Sequence, residues 1–159
     1  MTEKKNNADF KGGMTQFEAM LDEYMVKKAP FALPKEAKEF IVKVSPYLII
    51  VLAILALPII FAALGLGAIM TPFAMMGGYG FGWGFGAMVS MIVAIITIIM
   101  EVMAVPGLFK RTKASWRLVF YASIVSLIGG ILSGGIIGAI ISAIISWYIL
   151  FQVKDMYNA

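Results

Sequence analysis

From Tyr47 onward the chain is built of long apolar stretches separated by short connections. Each stretch is close to the ~20 residues that carry a helix across a ~30 Å hydrocarbon layer. The pattern predicts four transmembrane helices, at 47–69, 86–108, 116–132 and 135–153. The first would be ~35 Å long, enough to cross with some tilt. Pro58 leaves the carbonyl of Ile54 without its amide partner, so a kink is expected there, and Pro106 is expected to bend the last turn of the second span. The last two spans come from one apolar run, Trp116 to Val153, whose only charge is Arg117. It is too long for one crossing, and the pairs Gly129–Gly130 and Gly134–Gly135 mark the expected break into a tight hairpin. Met70 to Phe85, rich in glycine and aromatic residues, reads as the connection between the first two spans.

The segment before the spans follows a different rhythm. Met1 to Gly13 is polar and expected to be disordered. A helix is predicted over about 15–28, with Thr15 as N-cap and Glu18 completing a capping box. Phe17, Met20, Leu21, Tyr24 and Met25 share one apolar face, suited to a partner, to a membrane surface or to the protein's own bundle. Pro30 ends this helix. A second amphipathic stretch begins at Pro34, carries Ala37, Phe40, Ile41 and Val44 on one side, and leads into the first span. The organisation is a polar and amphipathic segment (1–44), a four-helix transmembrane bundle (45–153) and a short tail (154–159).

Charge adds an orientation. Eight lysines precede the first span, four basic residues (Lys110, Arg111, Lys113, Arg117) follow the second, and Lys154 lies in the tail. The other two connections carry none. Lys and Arg are retained on the cytoplasmic side, so both termini are expected there, in the inner membrane of a bacterium. The start is polar, with no secretory signal, so the first span would serve as its own insertion signal.

Composition agrees: 61% of residues are hydrophobic and 14% charged, a balance that lipid accommodates and a soluble core of this size does not. Cysteine and histidine are both absent, which removes thiolate and imidazole metal sites and the commonest nucleophile and general base. No catalytic constellation, cofactor or metal site is expected. The net charge of +4 flanks apolar spans without forming a continuous patch, which argues against nucleic acid.

One side chain invites chemistry. Glu101 is the sole acid within a span, nine positions before Lys110 and hence ~13 Å below the basic surface. Ser123, Ser126 and Ser146 fall at comparable depth, so a polar belt of Glu101, Thr97, Ser126 and Ser146 is geometrically possible. It could handle a proton or cation. Equally, the carboxyl could make a structural hydrogen bond or reach toward Arg117 or Lys113. Small residues recur at four-residue spacing, the register that lets membrane helices approach closely, within one chain or between copies in a homo-oligomer. Gly134, Gly138, Ser142 and Ser146 form one row beside Gly135, Ala139 and Ala143. Ala122, Ser126 and Gly130 form another, and Gly86, Ser90, Ala94, Thr97 and Glu101 a third. The run from Gly77 to Gly86 has no preceding strand for a nucleotide loop and no room for a channel's pore helix. Tyr79, Phe81, Trp83 and Phe85 are read as interfacial anchors, as are Tyr47, Phe109 and Trp116 at the other end.

Several runs resemble a group of small bacterial membrane proteins without an assigned function: Lys28–Phe31 (KAPF), Leu33–Lys43 (LPKEAKEFIVK), Pro106–Arg111 (PGLFKR), Leu118–Tyr121 (LVFY) and Tyr148–Tyr157 (YILFQVKDMY). The resemblance implies a shared four-helix build with cytoplasmic ends and no known active residues. The chain is less similar to the four-helix small multidrug exporters, which are shorter and carry their membrane Glu in the first helix. The leading expectation is a non-enzymatic accessory or scaffold protein with the bilayer and a membrane or cytoplasmic protein as partners. The alternative is a small transporter or channel subunit using Glu101 in a homo-oligomer.

Overall fold

The computed structural model describes residues 2–76 and 80–159, and every element in it is helical. α1 (Thr2–Asp22) continues through a π turn (Glu23–Lys27) and is followed by α2 (Lys35–Met76), α3 (Gly80–Phe109), α4 (Lys113–Leu132) and α5 (Ile136–Gln152), with a 3₁₀ turn at Lys154–Met156. α3 packs against both α2 and α4, and α4 against α5. Three helices are long and apolar enough to cross a membrane: α2 as far as Met70, α3 from Gly84, and α4. α5 is equally apolar but has 17 residues, ~25 Å, at the short end of what spans.

Two expectations about the connections are corrected. The polar start is helical from Thr2, so Thr15 is no cap; its hydroxyl donates to the Lys11 carbonyl inside the helix at 2.8 Å. Gly12 and Gly13 cost such a helix about 1 kcal/mol each, which lowers its stability without forbidding it. The connection expected at Met70–Phe85 is likewise mostly helix, since α2 runs to Met76 and α3 starts at Gly80. Where water is scarce, a backbone that leaves the helix loses hydrogen bonds worth more than the poor propensity of Gly and Pro. Gly77, Gly78 and Tyr79 lie outside the described residues.

Local chemistry explains how the helices begin, pass their prolines and end. Pro46 cannot donate to the Val42 carbonyl, and the Ser45 hydroxyl donates to it instead at 3.3 Å. Both turns after α3 and α4 are Schellman motifs. After α4, Gly135 and Gly134 donate to the carbonyls of Gly130 and Ile131, with Gly134 at φ +90°. After α3, Thr112 and Arg111 donate to those of Gly107 and Leu108, and here the left-handed residue is Arg111, at φ 54°. That conformation costs a non-glycine residue about 1 kcal/mol. It accompanies a two-pronged hydrogen bond from the Arg111 guanidinium to Glu39, at 3.1 and 2.7 Å. Thr112 then caps α4.

The core sits at the basic end, away from the middle of the spans. Trp116, Phe120 and Phe151 are fully or almost fully buried and meet as a cluster, Trp116 stacked on Phe120 and edge-on to Phe151. Phe17 of α1 joins them through Phe120 and Trp147. Trp116, expected at the interface, is therefore a core residue, and its indole N–H donates to the Leu150 carbonyl at 2.8 Å. Tyr47 and Phe109 do remain exposed, as an edge-on pair.

The segments flanking the spans are tied together at this end. Gln152, buried at the end of α5, accepts from the Leu33 amide and donates to the Met25 carbonyl, clamping the linker between α1 and α2. Tyr148 donates to the Phe31 carbonyl. Tyr157 meets Ser45, Asp155 pairs with Lys38, and the tail's Ala159 exchanges backbone hydrogen bonds with Arg111 and Lys113. Burial pushes the Tyr157 phenol above its ordinary range, the Ser45 hydrogen bond offsetting part of this, so the hydroxyl stays protonated.

Candidate functional site

α1 turns inward the stripe Met14, Phe17, Glu18, Leu21 and Met25. Of the predicted apolar face, Phe17, Leu21 and Met25 pack on the protein's own helices, while Met20 and Tyr24 stay exposed at 47% and 55%. Sequence periodicity left out Glu18 because it is charged. Its carboxylate is buried and sits between Lys154 at 3.1 Å and Arg117 at 3.4 Å, and Lys154 also lies over the rings of Trp116 and Phe151. Glu18 falls on the three- and four-residue spacing of Met14, Leu21 and Met25, and its basic partners come from far along the chain.

Arg117 is thus engaged by Glu18, and neither it nor Lys113 forms an ion pair with Glu101. Glu101 opens instead onto a groove of about 400 Å³ between α3 and α5, with α4 as its floor. Thr97 and Glu101 line it from α3, Ser123 and Ser126 from α4, and Gly138, Ser142 and Ser146 from α5. All four members of the predicted polar cluster, Glu101, Thr97, Ser126 and Ser146, therefore face one space. Ser142, expected to serve helix packing, joins them.

The hydroxyls differ in availability. Ser123 donates to the Phe120 carbonyl and accepts from the Trp147 indole, so it is a fixed strut. The Thr97 hydroxyl oxygen is buried without a hydrogen-bond partner. Among the described residues, the side chains of Glu101, Ser126, Ser142 and Ser146 make no hydrogen bond or ion pair either. A carboxyl with several unengaged hydroxyls can coordinate a small cation or hold and pass a proton. Among the described residues, Glu101 is not joined by further acids in a group that could hold a metal ion.

The same groove redistributes the small-residue rows. Gly138 has open space about it, and Ser142 and Ser146 are exposed to the groove, so this row makes no contact between α4 and α5. The contact is made by its neighbour: Ala143 is buried and Ala139 lies against Gly130, 2.5 Å from where a β-carbon on that glycine would stand. Gly134 serves the turn. Of the α4 row, Ala122 is buried and Gly130 packs, whereas Ser126 faces the groove. Gly129, outside every predicted row, brings α4 close to α3 against Val93, and Gly86 meets the Ser133 carbonyl. No family model matches the chain, and no curated protein or solved structure is significantly similar to it.

Proposed function

We propose that this is a four-crossing, non-enzymatic protein of the bacterial inner membrane, with both ends in the cytoplasm, acting as a small transporter or channel subunit whose groove handles a proton or monovalent cation at Glu101. The observation that carries this reading is the convergence of Glu101, Thr97, Ser126, Ser142 and Ser146, from three helices, on one space at the depth of the apolar spans. Intramembrane carboxyls are costly and mark ion or proton pathways where they face polar partners. Four crossings are supported by the meeting of α1, the α3–α4 turn and the tail at one end, through Glu18–Lys154, Lys38–Asp155 and Ala159–Arg111. The basic residues gather at that same end.

Accessibility labelling in oriented vesicles tests the topology: a lysine reagent on Lys113 and a tag following Ala159 are expected on the cytoplasmic face. Labelling of the two from opposite faces rules out two crossings between them, and with that the four-crossing arrangement. The site is tested by Glu101→Gln in liposomes, with proton entry driven by a potassium diffusion potential and read by an internal pH dye. The variant is expected to lose the flux of the parent protein, and equal flux from both refutes the assignment. An accessory role remains a second reading, favoured by the exposed Met20 and Tyr24 on the outer side of α1. It predicts no flux from either protein.

A further inference from the structure

No residue of α2 lines the groove; its inner part borders an adjoining, apolar cavity through Ile41, Ser45 and Ile49, and Ser146 lines both spaces. A carboxyl and hydroxyls turned sideways into hydrocarbon have nothing to bond with, and lipid tails cannot supply it. The covering element must be a helix, small enough at the crossing to approach the α4 floor, and it must bring hydrogen-bonding groups to the depth of Glu101. α5 itself meets each requirement. Gly138, Ser142 and Ser146 are exposed, lie one turn apart and carry two hydroxyls. Ser146 stands eight residues before Lys154 and Glu101 nine before Lys110, so the two lie at nearly equal depth, ~12 and ~13 Å from the basic end.

We propose that a second copy of this chain closes the groove, the two α5 helices lying side by side so that the Gly138–Ser142–Ser146 row of each enters the groove of the other. This rests on the reading of the groove as a membrane-embedded site. The row is at once a wall of the groove and the ridge that fills it, which is the self-complementarity a two-fold interface requires. Copies inserted in the same orientation have their axis along the membrane normal, so equal depths meet. Ser146 of one copy is then presented to Glu101 of the other, and the enclosed space holds two carboxyls. The single acid of one chain thereby gains the second group that a proton relay needs. Ile137, Ile140 and Ile144 project from the opposite side of α5 and remain toward lipid.

The chain contains no cysteine, so single replacements report without background. Gly138→Cys, Ser142→Cys and Ser146→Cys, with Ile137→Cys, Ile140→Cys and Ile144→Cys as controls, are each made in two differently tagged copies, co-expressed and oxidised in native membranes. Disulfides need Cα atoms within about 7 Å, so positions flanking the axis are expected to convert most of the monomer to a band of twice the mass, with two-tag adducts among it, while the controls stay monomeric. Absence of that band from all three row positions overturns the proposal. So does an adduct population in which the two tags are never joined, which identifies a foreign helix, or equal cross-linking at all six positions. The readout is independent of transport. Cross-linking without flux leaves the interface standing and refutes the ion-handling reading, whereas flux that depends on Glu101 in a chain that does not cross-link leaves the site and refutes the second copy.

Discussion

Trp116→Ala is expected to destabilise the protein more than any other single truncation, by about 3–5 kcal/mol. Its side chain is wholly buried, stacks on Phe120 at 5.7 Å between ring centres, meets Phe151 edge-on at 5.2 Å, and bonds the Leu150 carbonyl. Truncation empties the space that joins α4 to α5 and removes one ring from beneath Lys154. Because Lys154 holds Glu18, the docking of α1 should weaken as well. Two readouts follow. Thermal unfolding in detergent gives the loss of stability, and limited proteolysis in the linker 28–34 reports release of α1. Trp116→Phe keeps most of the packing and loses the N–H donor, so it should cost about 1 kcal/mol from the hydrogen bond alone. If Trp116→Ala melts with the parent protein, the core does not lie where the aromatic cluster is.

Gly129→Ala is the second large effect, because the space a β-carbon would need is already filled. That atom would stand 2.5 Å from both γ-carbons of Val93 and 2.8 Å from its β-carbon. Valine is stiff at χ1 and cannot swing clear, so α3 and α4 must move apart. Overpacking of this kind costs about 1–3 kcal/mol. It should also widen the groove, since α4 is its floor and Thr97 and Glu101 stand one and two turns beyond Val93 on α3. Gly65→Ala is the control: no atom lies within 4 Å of its added carbon, and alanine's helix propensity should leave stability unchanged or raise it by about 0.5–1 kcal/mol. Comparison of melting in the same detergent separates the two. Equal behaviour of both variants would mean that the α3–α4 contact is not close at Gly129.

Five of the runs quoted from the sequence, at 28–31, 33–43, 106–111, 118–121 and 148–157, have a physical reading in the fold. Phe31 bonds Tyr148, Leu33 bonds Gln152, Glu39 bonds Arg111, and Phe120 packs on Phe151. Residues from all five runs thus meet in one layer at the basic end, where they anchor the helices. None of those contacts involves the groove. Those runs build the scaffold, and the groove's chemistry rests on Glu101 and its neighbours.

The sequence by itself determined the helical class, the approximate positions of the apolar spans, the break near Gly134 and the depth of Glu101. These depend on run length, on glycine's access to positive φ and on a fixed rise per residue, all of which are local. Distance from the charged end also placed Ser126 and Ser146 level with Glu101, and four-residue spacing put Thr97 one turn from it on the same face. Only the tertiary structure decided which of two adjacent small rows packs and which faces open space. Rotation of α5 by one residue exchanges Ser142 for Ala143, and nothing in the sequence of one helix fixes that angle. It likewise decided that Trp116 is core, that Glu18 is buried and that Gln152 clamps the linker. Each of these depends on partners that the chain brings together only once the helices have packed, where a buried polar group finds the hydrogen bonds that a reading of its own segment cannot supply.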